Sequence, residues 1–179
     1  MIEAIAFSMD SELMQIRLEQ PADRAGIAEI LVAAFGREAE AQLVDRIRAS
    51  NYPWLGMVAY QPDAIVGYVL LSAVDCIGER SSQLVWALAP LAVHPDYQRR
   101  GIGTALVQAA LEQAAATDYP LVVVLGHADF YARCGFEPAA DHDIVAPFPV
   151  PSPVFRIKQL PAYSPQPGAI AYPTAFSGL

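Results

Sequence analysis

The fold class predicted by this sequence is a single α/β domain around a central mixed sheet, and three observations predict it. The chain has 179 residues, 54% of them hydrophobic and 17% charged, so it must collapse around a sizeable core and has the length of one ordinary domain. Leu84–Val93, Gly101–Ala116 and Leu121–Leu125 read in turn as strand, helix and aliphatic strand, the pattern of a parallel pair joined by a crossover helix. Trp54–Tyr60 and Ile65–Val74, rich in β-branched and aromatic residues, flank Gln61-Pro62-Asp63 and read as a hairpin closed by a proline turn.

The elements follow in order. Glu12–Leu18 predicts a first strand, and Pro21 opens a helix whose Ile27, Ile30, Leu31, Ala34 and Phe35 share one face. After Gly36 a shorter helix turns Ala39, Leu43, Val44 and Ile47 inward, with Glu38, Glu40, Asp45, Arg46 and Arg48 expected on its outer side. Leu84–Val93 contains Pro90, which lacks an N–H for a ladder and predicts a bulge. In the helix from Gly101 to Ala116 the lone polar stripe is Thr104, Gln108 and Glu112, so most of its surface is expected to be buried against the sheet. Nine of the fifteen prolines lie at or after Pro138, which predicts an extended, irregular last quarter with Val154–Leu160 as the closing strand. The domain is expected over residues 12–160, after an N-terminal extension of 1–11 and before a Pro-rich tail of 161–179. Tyr172 and Phe176 are too apolar to leave in water, so the tail is expected to pack on the domain and cover part of the site.

Charge and composition exclude several function classes. The net charge of −8 repels nucleic acid and anionic lipid, so an anionic ligand must be held by a local reversal of sign. Cys76 and Cys134 lie far apart with no His or Cys at metal-ligand spacing, which predicts two buried thiols and no metal. Met1–Asp10 lacks a basic start, a long apolar run and a cleavage site, and no window is long and apolar enough for a membrane span. A cytoplasmic protein is expected.

The chemistry concentrates in Leu91-Ala92-Val93-His94-Pro95-Asp96-Tyr97-Gln98-Arg99-Arg100-Gly101-Ile102-Gly103-Thr104, which runs from a strand through a turn into a helix. The first amides of a helix have no intrahelical acceptor, and with the dipole they form an anion cradle. Gly101 and Gly103 keep side chains away from it, and Arg99 and Arg100 add positive potential. Leu106 stands where a dinucleotide fingerprint needs its third glycine, and no Gly-Lys-Ser/Thr follows, so nicotinamide and ATP chemistry are disfavoured. His94, before Pro95, reads as a structural turn residue.

Gln98, Gly101 and Gly103 in this strand, loop and helix resemble the acetyl-CoA-binding motif of the GNAT superfamily of N-acetyltransferases. Leu121–Gly126 followed by His127-Ala128-Asp129-Phe130-Tyr131-Ala132-Arg133-Cys134-Gly135-Phe136-Glu137 resembles the family's next strand and its Tyr-containing helix ending in Gly-Phe. Ala89–Val93, Leu125-Gly126, Phe130-Tyr131 and Tyr172-Pro173-Thr174-Ala175-Phe176 are similar to the YhbS-like branch. The resemblance covers about residues 12–160 and implies a mostly antiparallel sheet with one parallel pair and helices on both faces.

The resemblance also implies roles. The backbone of Leu91, Ala92 and Val93, splayed by the bulge, would accept the pantetheine arm as if it were an added strand. The amides of Arg99, Arg100, Gly101, Ile102, Gly103 and Thr104 would hold the pyrophosphate, joined in cofactor binding by Gln98, Phe130, Tyr131 and Arg133. Tyr131 would act as general acid to the departing thiolate. Leu84–Val93 offers no carboxylate as a base, which leaves Glu40, Glu38, His127 or Asp129, directly or through water. The expected activity is acetyl transfer from acetyl-CoA to a primary amine of a small molecule or peptide by direct attack, without metal or acyl-enzyme, in a monomer or homodimer. The alternative is a catalytically silent CoA-binding sensor or interaction module.

Overall fold

Two strands, β1 (Ile5–Phe7) and β2 (Met14–Leu18), pair antiparallel, so the expected N-terminal extension contributes an edge strand. The computed structural model describes residues 5–7, 14–62, 64–79 and 81–177; Glu12 and Leu13 of the expected first strand and Asp63 of the expected turn lie outside them. Asp23 prepares the first helix: its carboxylate accepts from Arg17 Nη1 and Nη2 at 2.6 and 2.9 Å and from the Gln20 amide at 2.6 Å. The Arg17 guanidinium holds that carboxyl below its ordinary range. Helix α1 (Arg24–Phe35) ends where Gly36 takes φ +71° and donates to Val32 O at 2.8 Å. Only glycine adopts that left-handed turn at little cost, and it swings the chain into α2 (Ala39–Arg48).

Strands β3 (Trp54–Gln61) and β4 (Ala64–Ile77) form the expected hairpin, and β5 (Ser82–Val93) pairs antiparallel with the other edge of β4. After helix α3 (Ile102–Ala115), strand β6 (Leu121–Leu125) returns parallel to β5. Helix α4 (Ala128–Arg133) follows, then the short strands β7 (Glu137–Pro138) and β8 (Ile144–Val145). The expected closing strand is β9 (Phe155–Gln159), antiparallel to β6, and one more strand comes after it. This is β10 (Gly168–Ala171), which pairs with Asp75–Ile77 of β4 and runs parallel to β8, adding a second, minor parallel pair.

Alternation along the central strands sends side chains to two cores. Met57, Ala59, Val69 and Leu71 pack under α3, whereas Val58, Tyr68 and Leu70 pack under α1 and α2 with Ile27, Leu31, Leu43 and Val44. Helices therefore cover both faces. The outer side expected for α2 is corrected at two residues: Glu40 is buried, and Arg48 is enclosed where it donates to Glu19 at 3.0 and 3.3 Å. The Tyr68 hydroxyl donates to the same Glu19 carboxylate at 2.5 Å, so a buried charge is matched by a cation and a hydroxyl. The tail seats Ile170 and Ala175 in the core, and Arg46 Nε donates to Ala175 O at 2.8 Å.

A candidate active site where two parallel strands part

The β5–β6 ladder is two residues long, Trp86 opposite Val122 and Ala87 opposite Val123. Beyond it Ala89 and Pro90 of β5 face only Leu70 of β4, two residues against one, which is the expected bulge. Pro90 has no N–H to continue a ladder, and Val124 and Leu125, beyond the two-residue ladder with β5, pair only with β9 on the opposite edge of β6, with Arg156 and Phe155. The sheet consequently opens between Leu88–Val93 and Leu125. A cleft of about 870 Å³ fills this opening. It runs from the α3/α4 face, at Gly101–Thr104, Phe130, Tyr131 and Arg133, to the α1/α2 face, at Phe35, Arg37, Glu40 and Leu43.

Six successive backbone N–H groups, Arg99 to Thr104, donate to no protein acceptor among the described residues; the first bonded amide is that of Ala105, to Gly101 O at 3.0 Å. Arg99 at φ +60° and Gly101 at φ +82° alternate with right-handed or extended neighbours, so the loop curls into a nest before the helix begins. A non-glycine residue held left-handed is strained, and such strain collects at functional sites. A Cβ on Gly103 would meet Phe130 and Val93 at 3.6 and 3.7 Å, ordinary contact, so packing alone does not demand glycine there. Gln98 is turned back onto the protein, with Nε2 donating to Val93 O at 3.1 Å, so it shapes the loop and occupies one of the strand carbonyls. Arg99 lines the cleft, whereas Arg100 lies over the Tyr97 ring at 5.4 Å.

Tyr131 is fixed by its neighbours. Its ring meets Phe130 and Phe136 edge-on at 5.0 and 5.5 Å, and a Cβ on Gly126 would approach it to 2.8 Å, which explains the glycine closing β6. The hydroxyl makes no protein hydrogen bond among the described residues and is not sealed, since the buried side-chain atom without a partner is Ser72 Oγ. Burial, and secondarily Cys134, push the phenol far above its ordinary range. It stays protonated and can donate, but it is a weak acid. Burial likewise raises both cysteine thiols, and Arg133 only partly opposes this at Cys134.

The base candidates separate. Glu38 is exposed and accepts from Gln42 at 3.4 Å, and Asp129 is exposed at the start of α4, whereas His127, also exposed there, lines the cleft. Glu40 lines the cleft at 5% exposure, with Arg37 Nε at 3.1 and 3.2 Å from its two oxygens and Arg37 Nη2 at 2.5 Å from Oε1. His94 Nδ1 accepts from the Asp96 amide at 3.3 Å, the expected structural turn. Arg37 was not singled out in the sequence, although an Arg and a Glu three apart behind a helix-ending glycine are a signal that marks it; Phe35 and Leu43 were read only as core-facing, and Phe35 is instead 41% exposed in the cleft. None of the described tail residues lines this cleft, so the expected cover is not found among them. Among the described residues no cluster of His, Cys, Asp and Glu could hold a metal ion, and no helix is long and apolar enough to cross a membrane.

Residues 51–138 match the acetyltransferase (GNAT) domain family. The chain is 38% identical over 149 residues to the uncharacterized N-acetyltransferase YhbS of Escherichia coli K12, covering 82% of this chain and 87% of that one. The chain belongs to the GNAT acetyltransferase family. It is also 39% identical over 132 residues to the uncharacterized N-acetyltransferase YjhQ of the same strain, covering 72% and 73% of the two chains. The crystal structure of E. coli YhbS in complex with CoA superposes with a TM-score of 0.85 at 32% identity, covering 95% of each chain. A GNAT acetyltransferase from Brucella melitensis in complex with acetyl-CoA gives a TM-score of 0.75 at 28% identity over 92% of this chain and 98% of that one. The split β5–β6 pair and the unbonded amides before α3 therefore lie within a GNAT fold.

Proposed function

We propose that this chain transfers an acetyl group from acetyl-CoA to a primary amine. The observation that carries the reading is the run of six unbonded amides from Arg99 to Thr104 at the head of a fourteen-residue helix, all but that of Arg100 belonging to residues that line a cleft continuing along the open edge of β5. A pyrophosphate fits those amides, with Arg99 and Arg133 adding charge. A pantetheine amide chain fits the edge of Leu91 and Ala92 in the manner of an added strand, the Val93 carbonyl being already engaged by Gln98. Two of the structural relatives carry CoA or acetyl-CoA in their crystals, which supports the same use here.

In the reaction the amine nitrogen attacks the thioester carbonyl, the C–N bond forms and the C–S bond breaks. The nitrogen loses a proton to solvent in the open cleft, and the sulfur leaves as thiolate. Tyr131 donates a hydrogen bond to the charge developing on that sulfur, a role that suits a phenol held neutral by burial. Glu40 is not free to act as base while both its oxygens are engaged by Arg37. That same engagement favours a second reading, a CoA-binding module without turnover. Release of free thiol from acetyl-CoA across a panel of primary amines, with CoA affinity measured by calorimetry, separates the two: tight binding with no thiol release for any amine identifies the module, and no CoA binding at all removes both.

A further inference from the structure

Arg37 and Glu40 divide their work unequally. Glu40 is enclosed, with its carboxylate occupied by one edge of the Arg37 guanidinium, whereas the Arg37 side chain is 59% exposed. The Nε and Nη2 edge faces Glu40, and Nη1 has no protein acceptor among the described residues. A guanidinium carries five N–H donors in a planar fork, so the end formed by Nη1 and the second Nη2 hydrogen is left for a bidentate acceptor. Buried Glu40 thus orients an exposed cation that lines the cleft and keeps one end unpaired among the described residues. Among the described residues Glu40 is also the only acidic side chain lining that cleft, where Arg37, Arg99 and Arg133 supply positive charge. An acceptor recognised through extra ammonium groups would find no unpaired carboxylate there.

We infer that Arg37, held by Glu40, binds an anionic group on the acceptor, so that the substrates of this site are primary amines bearing a carboxylate or phosphate. The inference rests on the acetyltransferase reading and names its second substrate. Phe35 and Leu125, both exposed and both lining the same cleft, offer contact to an apolar body between the anion and the amine. The arrangement separates two anion sites on opposite faces of the sheet: the amide cradle before α3 for the cofactor, and Arg37 after α1 for the acceptor. Gly36 makes the second one, because its left-handed turn carries the chain from α1 to Arg37 within one residue.

Matched pairs of primary amines test this: L-phenylalanine with phenethylamine, L-leucine with isoamylamine, and O-phosphoethanolamine with ethanolamine, with spermidine as the polycation. Thiol release gives kcat and KM for each, and calorimetry on the CoA-loaded protein gives binding without turnover. The anionic member of at least one pair should be favoured by ten-fold or more, mainly in KM, with spermidine poor. The carboxylate and phosphate pairs tell the two anions apart. Arg37→Gln should bring that pair within about two-fold, Arg37→Lys should restore part of the preference, and Glu40→Gln should weaken it by freeing the guanidinium. The inference is overturned if the decarboxylated or unphosphorylated amine wins every pair, if the preference survives Arg37→Gln, or if no member binds while CoA binds normally. That last result would leave the cofactor reading standing, whereas loss of CoA binding in the wild type would sink that reading itself.

Discussion

Replacing Tyr131 by Phe removes one oxygen and leaves the ring, and the structure fixes what each part is worth. The ring carries the packing against Phe130, Phe136 and Gly126, all of which Phe retains. The hydroxyl makes no hydrogen bond among the described residues, so stability should change by less than about 0.5 kcal/mol. Its effect belongs to the moment at which the sulfur becomes negative. A hydrogen bond to a charged group contributes roughly 1.5–3 kcal/mol, or about ten- to a hundred-fold in rate. Full proton transfer would be worth up to about 10⁴-fold, but burial has made this phenol a poor match in acidity for a thiol. Steady-state kinetics on the best amine should therefore show kcat and kcat/KM falling together by about ten- to a hundred-fold, with acetyl-CoA affinity unchanged by calorimetry. Because the phenol titrates far above its ordinary value, activity should not fall between pH 8 and about 10 through its ionisation. A kcat within two-fold of wild type would show that Tyr131 only packs, and an alkaline fall in activity that Phe abolishes would show that its proton is lost far more easily than its burial implies.

Gly103→Val places a branched side chain beside unbonded amides at a position where a Cβ itself fits, so the variant should fold and yet bind acetyl-CoA at least ten-fold more weakly, about 1.4 kcal/mol. Unchanged affinity by calorimetry would remove the cradle from the argument. Arg48→Met should cost about 3–5 kcal/mol in urea unfolding, because Glu19 would be left enclosed with only the Tyr68 hydroxyl and no cation; a loss below about 1 kcal/mol would mean that the carboxylate reaches water. Tyr172 is pushed up to about 12 by burial, and Tyr68 and Tyr131 higher still. A folded-state value raised above the unfolded one leaves stability intact below pH 10 and erodes it above, by roughly 2 kcal/mol at pH 12 from Tyr172 alone, which unfolding curves between pH 9 and 12 should follow.

Local chemistry made much of this molecule legible. The aliphatic run Leu121–Leu125, the hairpin around Pro62, the bulge at Pro90 and the helix behind Gly101 depend on residue types whose backbone preferences act within a few positions, and each appears where the sequence put it. The cradle was readable for the same reason, since amides without acceptors follow from any glycine-opened helix. Strand β10 was not readable: Gly168–Ala171 has no strong strand signal, and it is a strand because β4 runs five residues beyond the end of β3's pairing and offers it a vacant edge. Burial of Glu40 and Arg48 escaped the helical wheel as well. A charged residue reads as outward until a partner from elsewhere, Arg37 across a helix-ending turn or Glu19 after β2, neutralises it. Sequence therefore determined most of the elements and the run of unbonded amides before α3, which rest on short-range backbone physics. Only the tertiary structure decided that β5 and β6 part after two residues, and that the parting joins Arg37 on one face of the sheet to the cradle on the other, because both depend on contacts between segments far apart in the chain.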